Sequence, residues 1–144
     1  MAACDAIIAD PKDEPHLPTA PSISIVDDDA SFRMATDSLL RARGYTVYAF
    51  ASAEEFLRSP QLDETSCVIT DVKMPGISGL QLQTLLRSQG RTVPVIFITA
   101  YPEEPARARA LREGAVCFLS KASDASTLIK YVKESLARRG TTGP

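Results

Sequence analysis

The sequence predicts a single doubly wound α/β domain, a five-stranded parallel sheet with helices on both faces. Three observations predict it. Strand-like and helix-like patterns alternate five times between residues 22 and 138. The strand-like runs carry little polar relief, as in parallel sheets covered on both sides. The links between them are short, which implies right-handed crossovers.

Each element has its own reason. Ile23-Ser24-Ile25-Val26 is a short strand that ends in Asp27-Asp28-Asp29. Ser31 to Arg43 places Phe32, Ala35, Leu39 and Leu40 at helical spacing, and Gly44 stands where a helix C′ glycine is expected. Tyr45 to Ala49 is β-rich. Ser52-Ala53-Glu54-Glu55 reads as a capping box that opens a short helix, with Pro60 just beyond its end. Cys67 to Thr70 is an apolar strand that ends at Asp71. Gly79 to Ser88 supplies Leu82, Leu85 and Leu86 to a helix. Val93 to Thr99 is the fourth strand. Pro105 to Glu113 is helical, with proline tolerated in the first turn and Gly114 as the stop. Val116 to Leu119 is the last strand, and Ser123 to Arg138 the last helix, striped by Leu128, Ile129, Val132 and Leu136.

The flanks read differently. Residues 1–21 hold Pro11, Pro15, Pro18 and Pro21 and a net charge of −3, which predicts a disordered, acidic, proline-rich tail. Residues 139–144 read as a flexible C-terminus. The domain between them, 22–138, is then close to neutral.

Composition removes several classes of chemistry. The 144 residues, 44% hydrophobic with formal charge −2, suit one soluble domain, without a span, a signal peptide or a reason for bulk binding to nucleic acid or membrane. The single histidine, His16, lies in the proline-rich tail, so a Ser-His-Asp triad or a histidine-rich zinc site is excluded. Cys4, Cys67 and Cys117 are odd in number, far apart and without a C-x-x-C, which fits a reducing compartment. Chemistry here must rest on carboxylates, hydroxyls, lysine or a bound ion.

In doubly wound sheets, ligands bind beyond the carboxyl ends of the strands. Those ends carry Asp27, Asp28 and Asp29 (strand 1), Asp71 (strand 3), Thr99 (strand 4) and Lys121 (strand 5). Crowded carboxylates raise one another's pKa unless a cation neutralises them. A small set of oxygen ligands suits Mg²⁺, which bridges carboxylate to phosphate. Each residue also has a bland role. Asp29 suits a helix N-cap, Asp71 a turn, Thr99 a strand filler and Lys121 the solvated surface. Their coincidence at one sheet edge is what favours a metal-and-phosphate site.

These residues also carry a resemblance. Val26-Asp27-Asp28-Asp29, Thr70-Asp71-Val72-Lys73-Met74-Pro75-Gly76-Ile77-Ser78-Gly79, Ile98-Thr99-Ala100 and Phe118-Leu119-Ser120-Lys121 resemble the motifs of the receiver domain of bacterial two-component response regulators. Asp27 to Asp71 spans 44 positions, Asp71 to Thr99 spans 28 and Asp71 to Lys121 spans 50, all in the family's order. The Met-Pro-x-x-Ser-Gly loop and the Pro105…Glu113-Gly114-Ala115 run look FixJ-like, a branch that often carries a DNA-binding output domain.

The resemblance implies a flavodoxin-like (βα)5 fold and a phosphoacceptor switch in the cytoplasm rather than an enzyme with a turnover substrate. It implies that Asp71 takes the phosphoryl group from a phosphohistidine on a sensor kinase or phosphotransfer protein. Asp28, Asp71 and the Lys73 backbone carbonyl would hold Mg²⁺, with Asp27 joining the metal site through a metal-bound water. Thr99 and Lys121 would meet the phosphoryl oxygens, and Phe118 would be the aromatic switch, unless it is simply half-buried core. Lys73 and Tyr101, two residues beyond Asp71 and Thr99, would modulate loss of the phosphoryl group. The surface of the fourth helix, fifth strand and fifth helix would then bind a partner or a second copy, or drive a DNA-binding output domain, with no direct nucleic-acid contact by this domain.

One departure stands out. Ala122 follows Lys121 where the family usually has proline. A cis bond to alanine costs ~3–4 kcal/mol, so a trans bond and a less firmly aimed Lys121 are expected. A haloacid-dehalogenase-type phosphatase needs D-x-D, and Asp71-Val72-Lys73 lacks the second acid. The phosphate and dinucleotide glycine motifs are missing too. The remaining rival is a phosphorylation-independent pseudo-receiver that acts as an interaction module. Arg107, Arg109 and Arg112 fit a solvated helix face better than a nucleic-acid patch.

Overall fold

The computed structural model describes residues 20–142. Five strands, β1 (Ser22–Val26), β2 (Thr46–Phe50), β3 (Cys67–Thr70), β4 (Val95–Thr99) and β5 (Cys117–Ser120), alternate with five α-helices. These are α1 (Ala30–Ala42), α2 (Ala53–Arg58), α3 (Gly79–Ser88), α4 (Glu104–Arg112) and α5 (Ala125–Thr142). The strands form one sheet in the order β2-β1-β3-β4-β5, with every pairing parallel. The chain moves outward from β1 to β2, then returns past β1 to β3. The switch point therefore lies between β1 and β3.

Alternation along the strands divides the core between two layers. Ile23, Ile25, Ile69, Ile96 and Ile98 face α1 and α5, where they meet Leu40, Leu128, Ile129 and Val132. Val26, Val68, Val95 and Phe97 face α2, α3 and α4, where they meet Phe56, Leu82, Leu86 and Ala110. Burial of one such side chain is worth ~1.5–3 kcal/mol, so the two layers hold the central strands rigid beneath the sheet edge. Polar groups in the core are paired across elements. Ser24 and Thr65 share a 2.6 Å hydroxyl hydrogen bond, and the buried Gln83 amide donates to the Ala110 carbonyl at 3.0 Å, which ties α3 to α4.

The predicted elements are all present, with shifted ends. β4 begins at Val95 rather than Val93, because Pro94 has no N–H for the ladder, although its carbonyl accepts from the Val68 N–H at 2.9 Å. Pro60 does not simply end α2. It opens a 3-10 turn, Pro60–Glu64, whose Gln61 N–H is capped by the Ser59 hydroxyl at 2.9 Å. α5 runs to Thr142, past the expected helix end at Arg138. Gly140 costs the helix only ~1 kcal/mol relative to alanine, which the turns before it can offset. The acidic tail expected over residues 1–21 lies outside the described residues, apart from Ala20 and Pro21. No described helix is long and apolar enough to cross a membrane.

Candidate functional site

The strand ends deliver their polar residues to one edge, as the alternation implied. Asp27 continues β1, its N–H donating to the Phe50 carbonyl at 3.0 Å, and Asp71 continues β3 with its N–H on the Val26 carbonyl at 3.1 Å. Lys121 follows β5, its N–H on the Thr99 carbonyl at 2.8 Å. The backbone ladder thus carries on one residue past each strand and sets the side chains by sheet geometry. Asp27 is 1% exposed and Asp71 7%, whereas Asp28 is exposed.

Lys121 is the cation of this cluster. Its Nζ donates to Asp71 Oδ2 at 3.0 Å and lies 2.8 Å from Asp27 Oδ2 and 3.8 Å from Asp29 Oδ2. It also sits 4.7 Å above the Phe32 ring. The sequence alone had placed Phe32 only in the helix core; contact with a lysine 89 positions away leaves no local signal. The approach to Asp27 is an ion pair rather than a directed hydrogen bond, so Asp27 Oδ2 is buried without an aligned donor. Asp27 Oδ1 accepts from the Asp29 N–H at 2.9 Å, and Asp29 Oδ1 caps α1 through the Phe32 N–H at 3.1 Å. Burial raises the Asp27 carboxyl above the usual range and the Asp71 charge adds to this, against the pull of Lys121 and the Asp29 N–H. Burial opposes the charge on Lys121, but its bonds to Asp27 and Asp71 outweigh that and raise its pKa.

Lys121 reaches both carboxylates with alanine, not proline, after it. The described residues contain no cis peptide bond, so Lys121–Ala122 is trans as expected. The turn is closed by other means. The Ala122 N–H, which a proline would lack, donates to the Ser120 hydroxyl at 3.0 Å, and the Ser123 N–H donates to the Ser120 carbonyl at 2.9 Å.

The loop after Asp71 explains its glycines. Gly79 opens α3 directly beneath Asp71, and a Cβ there would fall 1.9 Å from the Asp71 carbonyl oxygen, so only glycine permits the approach. Its N–H donates to the Val72 carbonyl at 2.8 Å. Asp71 Oδ1 accepts from the Val72 N–H at 2.6 Å. Ser78 and Gln81 form a full capping box at the start of α3. At Ser52 the box is displaced: Ser52 caps the Glu55 N–H, but Glu55 Oε1 accepts from Ala51 rather than from Ser52.

The remaining predicted residues lie around this cluster rather than in it. Thr99 is buried at the end of β4, and its hydroxyl accepts from the Tyr101 N–H at 3.3 Å. Tyr101 itself is 75% exposed. Lys73 is exposed and pairs with Glu103 at 3.6 Å. Phe118 is half-buried, its ring centroid 5.9 Å from that of Phe97.

Asp27, Asp28 and Asp71 each offer a carboxylate oxygen within 4.8 Å of the others. An all-oxygen donor set of three carboxylates fits a hard divalent cation. Next to it, the Lys121 ammonium pairs with the Asp71 carboxylate.

Comparison with known proteins identifies this arrangement. The family profile described as "Response regulator receiver domain" matches residues 23–133. The chain belongs to the response regulator receiver domain family. Nodulation protein W of Bradyrhizobium diazoefficiens is 46% identical over 99 residues, which cover 69% of this chain and 44% of that protein. The transcriptional regulatory protein FixJ of Azorhizobium caulinodans is 35% identical over 127 residues, 88% of this chain and 60% of that protein. The chain thus spans about half the length of these curated relatives. Among solved structures, the response regulator StyR superposes with TM-score 0.78 at 34% identity, covering 86% of this chain and 64% of that one. The structure titled FixJ-N superposes with TM-score 0.74 at 26% identity, covering 83% and 96%. The chain is a FixJ-like receiver domain, a signalling module of two-component phosphorelays rather than a classical enzyme.

Proposed function

We propose that residues 22–138 act as a phosphorylation-driven switch with Asp71 as the phosphoacceptor. The observation that carries this reading is the 3.0 Å contact between Asp71 and Lys121, residues 50 positions apart, beside Asp27 and Asp28. Asp71 Oδ attacks the phosphorus of a phosphohistidine on a partner kinase or phosphotransfer protein. The new P–O bond forms as the P–N bond breaks, and the imidazole leaves to the partner. Asp28, Asp71 and the Lys73 backbone carbonyl would hold Mg²⁺, with Asp27 behind them; when bound, the ion neutralises charge on the phosphoryl oxygens. Lys121 supplies fixed positive charge at the acceptor oxygen, so transfer depends on positioning and electrostatics.

The switch follows from what Thr99 gives up. Its hydroxyl leaves the Tyr101 N–H to meet a phosphoryl oxygen, Phe118 turns inward, and the surface of α4, β5 and α5 changes shape. That surface then takes a second copy, an output domain or a downstream protein in the cytoplasm. FixJ is named a transcriptional regulatory protein, and a DNA-binding output is the corresponding proposal for this chain. Lys73 and Tyr101 flank the path of hydrolytic water and set the rate at which the domain loses its own phosphoryl group. With Lys121 held on two carboxylates, no specific observation favours the phosphorylation-independent alternative.

Incubation with a small acyl-phosphate donor and Mg²⁺, read by intact mass, tests the proposal. It expects one phosphoryl adduct on the wild type and none on Asp71→Asn. An unmodified wild type, with or without a kinase, would refute it.

A further inference from the structure

We propose that Glu54 on α2 is a positioning residue for the phosphoacceptor loop, a clamp that holds the segment Met74–Ile77 in place from the neighbouring helix. Its consequence for metal binding rests on the function proposed above.

The pattern Ser52-Ala53-Glu54-Glu55 offers one helix cap and two acids. The two acids have different tasks. Glu55 stays local: its N–H bonds the Ser52 hydroxyl and its Oε1 accepts from the Ala51 N–H, both at 3.1 Å. Glu54 lies ~100° around the helix from it. Glu54 Oε2 reaches the loop between β3 and α3 and accepts from the Ile77 N–H at 3.1 Å, across 23 positions of sequence. The same oxygen packs on Gly76, where a Cβ would come within 2.3 Å of it. Gly76 also has φ +77, a backbone conformation that side chains disfavour. The loop is therefore shaped to receive this carboxylate.

Besides the Val72 N–H on Asp71 Oδ1 and the exposed Lys73–Glu103 ion pair, three hydrogen bonds tie the loop. The Gly79 N–H on the Val72 carbonyl and the Ser78 N–H on Gln81 Oε1 close its two ends within its own chain segment. Glu54 secures its middle from another element by a charge-assisted hydrogen bond, about twice as strong as a neutral one. Lys73, whose backbone carbonyl is the proposed metal ligand, lies on this loop. Without the clamp the loop samples other arrangements, and metal affinity falls in proportion to the time spent in the competent one.

Two variants of the full chain separate the clamp from simple charge. Glu54→Gln keeps an acceptor oxygen and loses the charge; Glu54→Ala loses both. Mg²⁺ titration, Ile77 amide exchange and the initial rate of phosphorylation at saturating Mg²⁺ are measured on each. Glu54→Ala should weaken Mg²⁺ binding about tenfold, the low end for partners that orient metal ligands, and speed Ile77 exchange comparably. Its rate at saturating Mg²⁺ should stay within about twofold of wild type, and Glu54→Gln, which keeps a weaker neutral bond, should fall between wild type and Glu54→Ala in Mg²⁺ affinity and Ile77 exchange. If Glu54→Gln falls as far as Glu54→Ala, long-range charge explains the effect and the clamp is overturned. Unchanged Ile77 exchange in Glu54→Ala overturns it as well. A wild type that binds no Mg²⁺ refutes the metal-site reading, while Ile77 exchange still decides whether the clamp exists.

Discussion

The acidic half of the site and the switching half are built to different tolerances. Asp27 and Asp71 sit on central strands, with backbone N–H groups in the sheet ladder and each Oδ1 held by a neighbouring amide. β3 beneath them is buried along its whole length. Thr99, Tyr101 and Phe118 lie toward the sheet edge. The Thr99 hydroxyl is held by a 3.3 Å bond to its own loop, Tyr101 faces solvent, and all but the first residue of β5 are only half-buried. The difference teaches where a new dianion can do work. On the function proposed above, charge would be received on a platform of central strands, and the response would come from the exposed β4–α4 loop and half-buried β5 rather than from the buried strand β4.

The largest expected effect comes from breaking the platform's neutralisation. Lys121→Ala should slow phosphorylation by an acyl phosphate on the order of 10²-fold, measured by initial rate, because the fixed charge at the acceptor oxygen is lost. A change below threefold would put Lys121 outside the chemistry. On the switching half, Lys73→Ala combined with Tyr101→Ala should shorten the lifetime of the phosphorylated form by about fivefold, if these exposed side chains screen the phosphoryl group from water as proposed. Equal lifetimes would show that this rim does not control water.

Smaller effects sharpen the contrast. Burial raises the Asp27 carboxyl, so its charge opposes folding at neutral pH, and that penalty is relieved as pH falls through the raised value. Asp27→Asn should therefore raise Tm by a few degrees at pH 7, with the gain shrinking toward low pH; a lower Tm at pH 7 would mean the Lys121 pair outweighs the burial cost. The smallest effect is expected at the β5–α5 turn. Ser120→Ala removes the acceptor for the Ala122 N–H and should slow phosphorylation about threefold, while Ser120→Thr restores it.

Much of this was legible in the chain because it depends on period and punctuation. Apolar runs with little polar relief announce covered parallel strands, and acids placed just beyond them land on one edge by sheet geometry alone. The misses arise where tertiary contacts override local rules. Ala122 predicts a loose lysine only if the turn relies on proline; Ser120 closes it through an N–H that proline does not have. Glu54 and Glu55 look alike in a capping motif, and only the position of α2 against the β3–α3 loop separates them. Pro60 reads as a stop, yet its fixed φ also suits the first position of the 3-10 turn that follows.

Amide hydrogen exchange on the protein with and without its phosphoryl group tests the two-tolerance account most directly. The account predicts altered protection in the β4–α4 loop, in α4 and in β5, with β1 and β3 unchanged apart from the amides at Asp71 and Val72. Changes spread evenly over the sheet, or confined to β1 and β3, would contradict it.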